Sequence, residues 1–165
     1  MKWFTGALIV GFLLCSAVLS SCGGPGTNSK PSSTAAVNAS AENSNASKTN
    51  VEELSLLINV LFEPEDIVWK EDKAHKALIA VLRFSADDAN KLVADAAVRR
   101  APQPVTLNSS SWFPAELIAQ SDMSGDESLH GMAYAADAFY QDPFTSGRLV
   151  RIDGTDYFVL ELSSK

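Results

Sequence analysis

Beyond Cys22 the chain contains no cysteine. Whatever folds from residues 23–165 therefore has no disulfide of its own, no thiolate metal site and no Cys-x-x-Cys redox pair. Histidine is nearly as scarce. His75 and His130 are the only two, far apart in sequence, so the paired spacing that marks many metal sites is missing. There is no G-x-S-x-G nucleophile elbow. The one glycine-rich run, Gly23-Gly24-Pro25-Gly26, lies in a linker-like stretch and forms no phosphate loop. Positive charge is also short. Residues 51–165 hold 10 Lys and Arg against 19 Asp and Glu, a net −9. That balance disfavours nucleic acid and anionic lipid as partners and leaves cationic partners open. No motif calls for a cofactor.

What is present at the front is more telling. Asp and Glu are absent before Glu42. Met1 and Lys2 lead into an apolar run from Trp3 to Leu19, and small residues follow. A short cationic start, an apolar core and a small-residue end are the layout of a secretory signal peptide. Thr5, Gly6, Gly11 and Ser16 dilute the run, and no stop-transfer charges follow, which argues against a spanning helix.

The stretch Leu19-Ser20-Ser21-Cys22 resembles the lipobox of bacterial lipoproteins. The resemblance covers residues 1–22 only. It implies a diacylglyceryl group on the Cys22 thiol, cleavage of the bond before it, and acylation of the new amino end. Residues 1–21 are then a signal peptide, and Cys15 leaves with it. Cys22 becomes the first residue of the mature protein and the point of membrane attachment. Gly23, rather than Asp, follows the cysteine. In an envelope with two membranes the resemblance then implies the outer one.

Residues 22–50 read as the lipidated cysteine and a tether. Gly, Ser, Asn, Ala, Thr and Pro dominate residues 23–50, with no aromatic residue and one valine. Such a stretch buries too little apolar surface to offset the entropy of ordering it. A coil of this length reaches roughly 30 Å.

Residues 51–165 have the length of one domain. Val51, Leu54, Leu57, Ile58 and Leu61 share a helical face, Asn50 and Glu53 suit a capping box, and Pro64 is a stop. This predicts a helix over 51–62. Ile67 to Trp69 reads as a short extended piece. Residues 76–84 read as a buried strand, with a helix as rival. Ser85 followed by Asp87 and Asp88 decides for the strand, because it starts a fresh helix that Pro102 and Pro104 close into a loop. Pro114 suits the first turn of a short helix. Residues 121–128 read as a polar loop, and 131–140 lean to a short helix or turn. Asp153-Gly154 between two alternating runs predicts a C-terminal hairpin. Phe158, Leu160 and Leu162 face the core in this reading. The expected class is α+β: a small, mostly antiparallel sheet of about three to five strands, helices on one face.

Candidate sites are few. Asp122, Asp126 and Glu127 sit in a glycine-containing loop but do not match a calcium pattern. Large rings in or beside loops dominate many binding surfaces. Trp112, Phe113, Tyr140 and Phe144 are therefore the candidate ligand-binding residues, with capping of the core as the competing role. The leading expectation is a lipid-anchored envelope protein whose domain binds a partner, another envelope protein, without catalysis. A small envelope hydrolase using His130 with loop carboxylates, and a purely structural envelope component, are the alternatives.

Overall fold

The computed structural model describes residues 46–164. The expected signal peptide, Cys22 and most of the expected tether lie outside the described residues. The class is α+β, as expected: one open antiparallel sheet with three α-helices and a C-terminal hairpin. The strands are β1 (Asp66–Asp72), β2 (Ala77–Arg83), β3 (Gln103–Asn108), β4 (Ser128–Ala135), β5 (Ser146–Ile152) and β6 (Tyr157–Ser163). Their order across the sheet is β1-β2-β6-β5-β4-β3. The helices are α1 (Val51–Ser55), α2 (Ala86–Arg99) and α3 (Ala115–Ser124).

Six strands form, more than the three to five expected, because two segments that do not look like strands become them. β3 contains Pro104, which lacks an amide hydrogen and closes helices. It is tolerated because β3 is an edge strand. β4 replaces the helix or turn expected near 131–140. Its Gly131 has no side chain because a Cβ there would sit 2.3 Å from the Arg151 carbonyl oxygen on β5. Only the tail of that segment, Asp137–Phe139, makes a 3₁₀ turn.

The first helix is shorter than expected. Asn50 caps it, its Oδ1 accepting from the Glu53 amide at 2.8 Å. The helix then ends at Ser55 instead of reaching Phe62. Asn59 gives its amide to the Phe139 carbonyl and its side-chain Nδ2 to the Tyr140 carbonyl, which draws the chain away. α2 is as read: Ser85 Oγ accepts from the Asp88 amide, and Ala89, Leu92 and Ala96 are buried. Pro114 is the residue before α3, not inside it, and residues 121–124 extend that helix rather than opening a loop. Gly125 ends it in the left-handed region at φ 81°.

The helices do not share a face. α1 and α2 pack on one side, where Leu54, Leu92, Leu82, Phe158 and Leu160 belong to one apolar cluster. α3 packs on the other, where Leu117 meets Val81, Val150 and Val159. β6 is central and buried on both faces, so Tyr157 and Val159, expected opposite the core, sit in a second core.

The folded part begins earlier than residue 51. Lys48 and Trp69 exchange both backbone hydrogen bonds at 2.8 Å, an antiparallel bridge on the β1 edge. Trp69 Nε1 donates to the Asn50 carbonyl at 3.1 Å. Going toward the N-terminus, the chain therefore runs along β1 toward Asp72. This gives the domain two poles. One holds the β1–β2 turn, residues 73–76. The other holds the β5–β6 turn, residues 153–156, since β6 pairs Ser163 with Ala77 and Tyr157 with Arg83. Six residue steps at about 3.3 Å put roughly 20 Å between them.

Candidate functional site

The four aromatic candidates do not come together. Trp112 and Phe113 belong to the α3 side of the sheet, Tyr140 and Phe144 to the α2 side. Phe144 is 2% exposed and Phe113 8% exposed, so both are core residues and neither offers a binding surface. Tyr140 is half-buried, its hydroxyl 3.4 Å from the Gly147 carbonyl, and burial pushes its pKa up. Phe113 touches the edge of a hollow of about 290 Å³, and Trp112 borders a larger open space. Its ring meets Phe113 edge-on at 4.8 Å, and Lys70 Nζ lies 5.2 Å from its centroid. It walls a cleft of about 730 Å³ at the β1–β2 pole, with Lys70, Ala77 and Ile79. Sequence reasoning missed this because loop position does not reveal which way a ring turns.

A second set of groups gathers at the β5–β6 pole. Two hollows of about 360 and 390 Å³ share Met132 and Asp153. His130, Met132 and Tyr134 alternate along β4 and so point to one face. Arg151 stands opposite Met132 on β5. Its guanidinium is pinned: Nη2 to Asp156 Oδ1 at 2.7 Å, Nη1 to Asn90 Oδ1 at 3.2 Å, Nε to the Thr155 carbonyl at 3.2 Å. It also lies 5.8 Å from the Phe158 ring. Such a held cation loses little freedom on meeting a partner. Gly154, at φ 73°, makes the tight turn that sets Asp153 and Asp156 beside it. The Asp153-Gly154 turn and His130 were legible in the sequence, but their meeting with Met132, Tyr134 and Arg151 was not; the closure of β4 against β5 assembles it.

His130 is exposed. Its Nδ1 lies 3.2 Å from Thr106 Oγ1, so the ring meets a hydroxyl rather than a loop carboxylate. Asp126, one of the expected loop carboxylates, interacts electrostatically with the His130 ring, but its hydrogen bonds are made within its own turn. Asp126 accepts from Ser128 Oγ, Ser124 Oγ and the Ser128 amide, which hold its carboxyl below the usual range. It closes the turn between α3 and β4. Asp122 lies within α3. His75 sits in the β1–β2 turn, its Nδ1 2.6 Å from Asp72 Oδ2 and well solvated. Among the described residues no three or more His, Cys, Asp or Glu side chains gather as a metal site.

One buried polar group ties three elements together. Tyr157, on β6, is 4% exposed. Its hydroxyl is shared between Asp66 Oδ2 of β1, at 3.2 Å, and Glu116 Oε2 of α3. Burial first, then the hydrogen bond to Glu116, pushes its pKa far above the ordinary tyrosine value. Its place between α3 and the sheet makes it a structural clasp.

No protein-family model, no curated protein and no solved structure matches this chain.

Proposed function

We propose that this is a lipid-anchored protein of a bacterial envelope, and that its folded part is a non-catalytic interaction module for another envelope protein. The observation that carries the reading is Leu19-Ser20-Ser21-Cys22 behind a signal-like apolar run, with no later cysteine. Two or more acyl chains hold a protein stably at a bilayer where one does not. The described fold supports the rest. Its core closes on both faces of the sheet without a disulfide. The described chain starts beside β1 at its β1–β2 end, while the mixed-charge hollows around Arg151 and Asp153 lie at the opposite pole. Those hollows are the surface proposed to meet the partner. Gly23 after the cysteine sends the protein to the outer membrane in an envelope that has two.

The test has two parts. Intact mass of protein from its native host is expected to show residues 1–21 removed and acyl groups on Cys22; an unmodified thiol at Cys22 or a retained Met1 overturns the anchor. A photo-crosslinking residue at Asp153, in living cells, is expected to trap a defined protein adduct that the same residue at exposed Val98 does not. Equal labelling from both positions removes the far pole as the interaction surface.

A further inference from the structure

We propose that the β1–β2 pole is a membrane-docking surface, seating its lysines and Trp112 on the anionic phospholipid headgroups of the bilayer that holds the anchor. The proposal rests on the lipid-anchor reading.

Overall charge argues against anionic lipid, but the charge is not uniform. Residues 70–76 hold three lysines, Lys70, Lys73 and Lys76, against Glu71 and Asp72. The rest of residues 51–165 holds seven Lys and Arg against 17 Asp and Glu. The β1–β2 turn is therefore net positive by one charge on a domain that is otherwise strongly negative. An anionic surface attracts that pole and repels the remainder, so the field orients the domain as well as holding it. The acids within the pole are partly committed. Asp72 accepts from the His75 ring first, then from the amides of His75 and Ala74, which keeps its carboxyl below the usual range. Glu161, on the neighbouring face, is paired with Arg148. Glu71 is the one acid of the turn that stands against docking.

Two further observations point to a bilayer. The cleft beside the lysines is walled by Trp112 and floored by Ala77 and Ile79, and Ile79 is 36% exposed. A tryptophan beside lysines is the composition that settles at the headgroup level. The path of the chain also matters. The described chain begins at Ala46, and the antiparallel bridge between Lys48 and Trp69 sets that start alongside the Asp72 end of β1; forty-five residues precede it in the sequence. The described chain therefore starts beside the lysines of the turn.

The test uses the acylated protein from its native host, reconstituted into vesicles. Flotation with pure phosphatidylcholine vesicles reads the anchor alone. Quenching of Trp112 by brominated phosphatidylglycerol, in equimolar vesicles with phosphatidylcholine, reads docking. Trp69 is 1% exposed and serves as the internal standard, and Trp112→Phe assigns the signal. Trp112 is expected to be quenched in the anionic vesicles and not by brominated phosphatidylcholine in neutral ones. Lys73→Gln with Lys76→Gln should lower the docked-to-undocked ratio roughly 25-fold, about fivefold per lysine. Floating protein whose Trp112 is never quenched overturns docking and leaves the anchor standing; protein that fails to float overturns the anchor. Equal quenching in neutral and anionic vesicles overturns the charge argument. Lys73 and Lys76 shielded from acetylation in native envelopes, yet reactive in anionic vesicles, would give this surface to a protein partner and overturn the proposal.

Discussion

Tyr157 offers the sharpest quantitative check on the structure. An unfolded tyrosine ionises near pH 10. In the folded protein, burial and the two carboxylates of Glu116 and Asp66 hold the Tyr157 proton to a much higher pH. Below pH 10 neither state has lost the proton, and the group contributes no pH dependence. Above pH 10 the unfolded state gives it up first, so the folded state binds more protons and stability falls as pH rises. With the folded group still protonated, the loss relative to neutral pH is about 1.4 kcal/mol near pH 11, and it steepens toward about 1.4 kcal/mol for each further pH unit. Urea unfolding of the purified protein at pH 7, 9 and 11 measures this directly. Tyr157→Phe removes the ionisation and should flatten that part of the profile. It should also cost about 1–2 kcal/mol at pH 7, through loss of a hydrogen bond to a charged acceptor. Tyr140, whose pKa burial also raises, remains in both proteins, so the difference between them isolates Tyr157. If Tyr157→Phe loses as much stability between pH 9 and 11 as the parent, the hydroxyl is not buried between α3 and β1.

Four further outcomes follow from the same packing. Phe158, fully buried where α2 meets the sheet, should cost about 3–5 kcal/mol as Phe158→Ala, read as a lower urea midpoint at unchanged slope. Gly131→Ala places a Cβ on the β5 backbone, and we expect faster amide exchange at Val150 to Ile152 than in the parent protein. Ser85→Ala removes the α2 cap and should lower stability by about 1 kcal/mol. Cys22→Ser should abolish incorporation of a labelled fatty acid; labelling that persists would mean attachment elsewhere.

The readings that held rest on local chemistry. Ser85 with Asp87 and Asp88 marks the α2 start because a hydroxyl beside acids satisfies orphan amides wherever it occurs. Asp153-Gly154 marks the last hairpin because few residues tolerate that turn. The misreadings were long-range. The face shared by Leu54, Leu57, Ile58 and Leu61 fits a helix, yet backbone groups at Phe139 and Tyr140 take Asn59 and end it early. Pro104 looks like a terminator, but the sheet accepts it at an edge. Trp112, Phe113, Tyr140 and Phe144 look equivalent in sequence, and the sheet puts them on opposite sides with two buried.

From residue order alone come the export-and-anchor signature around Cys22, the absence of disulfides beyond it, the α+β class, the α2 cap and the final turn. These depend on groups a few residues apart, whose chemistry needs no distant partner. Tertiary structure alone decided that β3 and β4 are strands, that the core lies on both faces, and that Arg151 meets Asn90 and Asp156 at one end of the sheet. Each of those is set by which residues meet across the sheet. That pairing is a property of the folded chain, because a strand acquires its neighbours and its two faces only when the sheet forms.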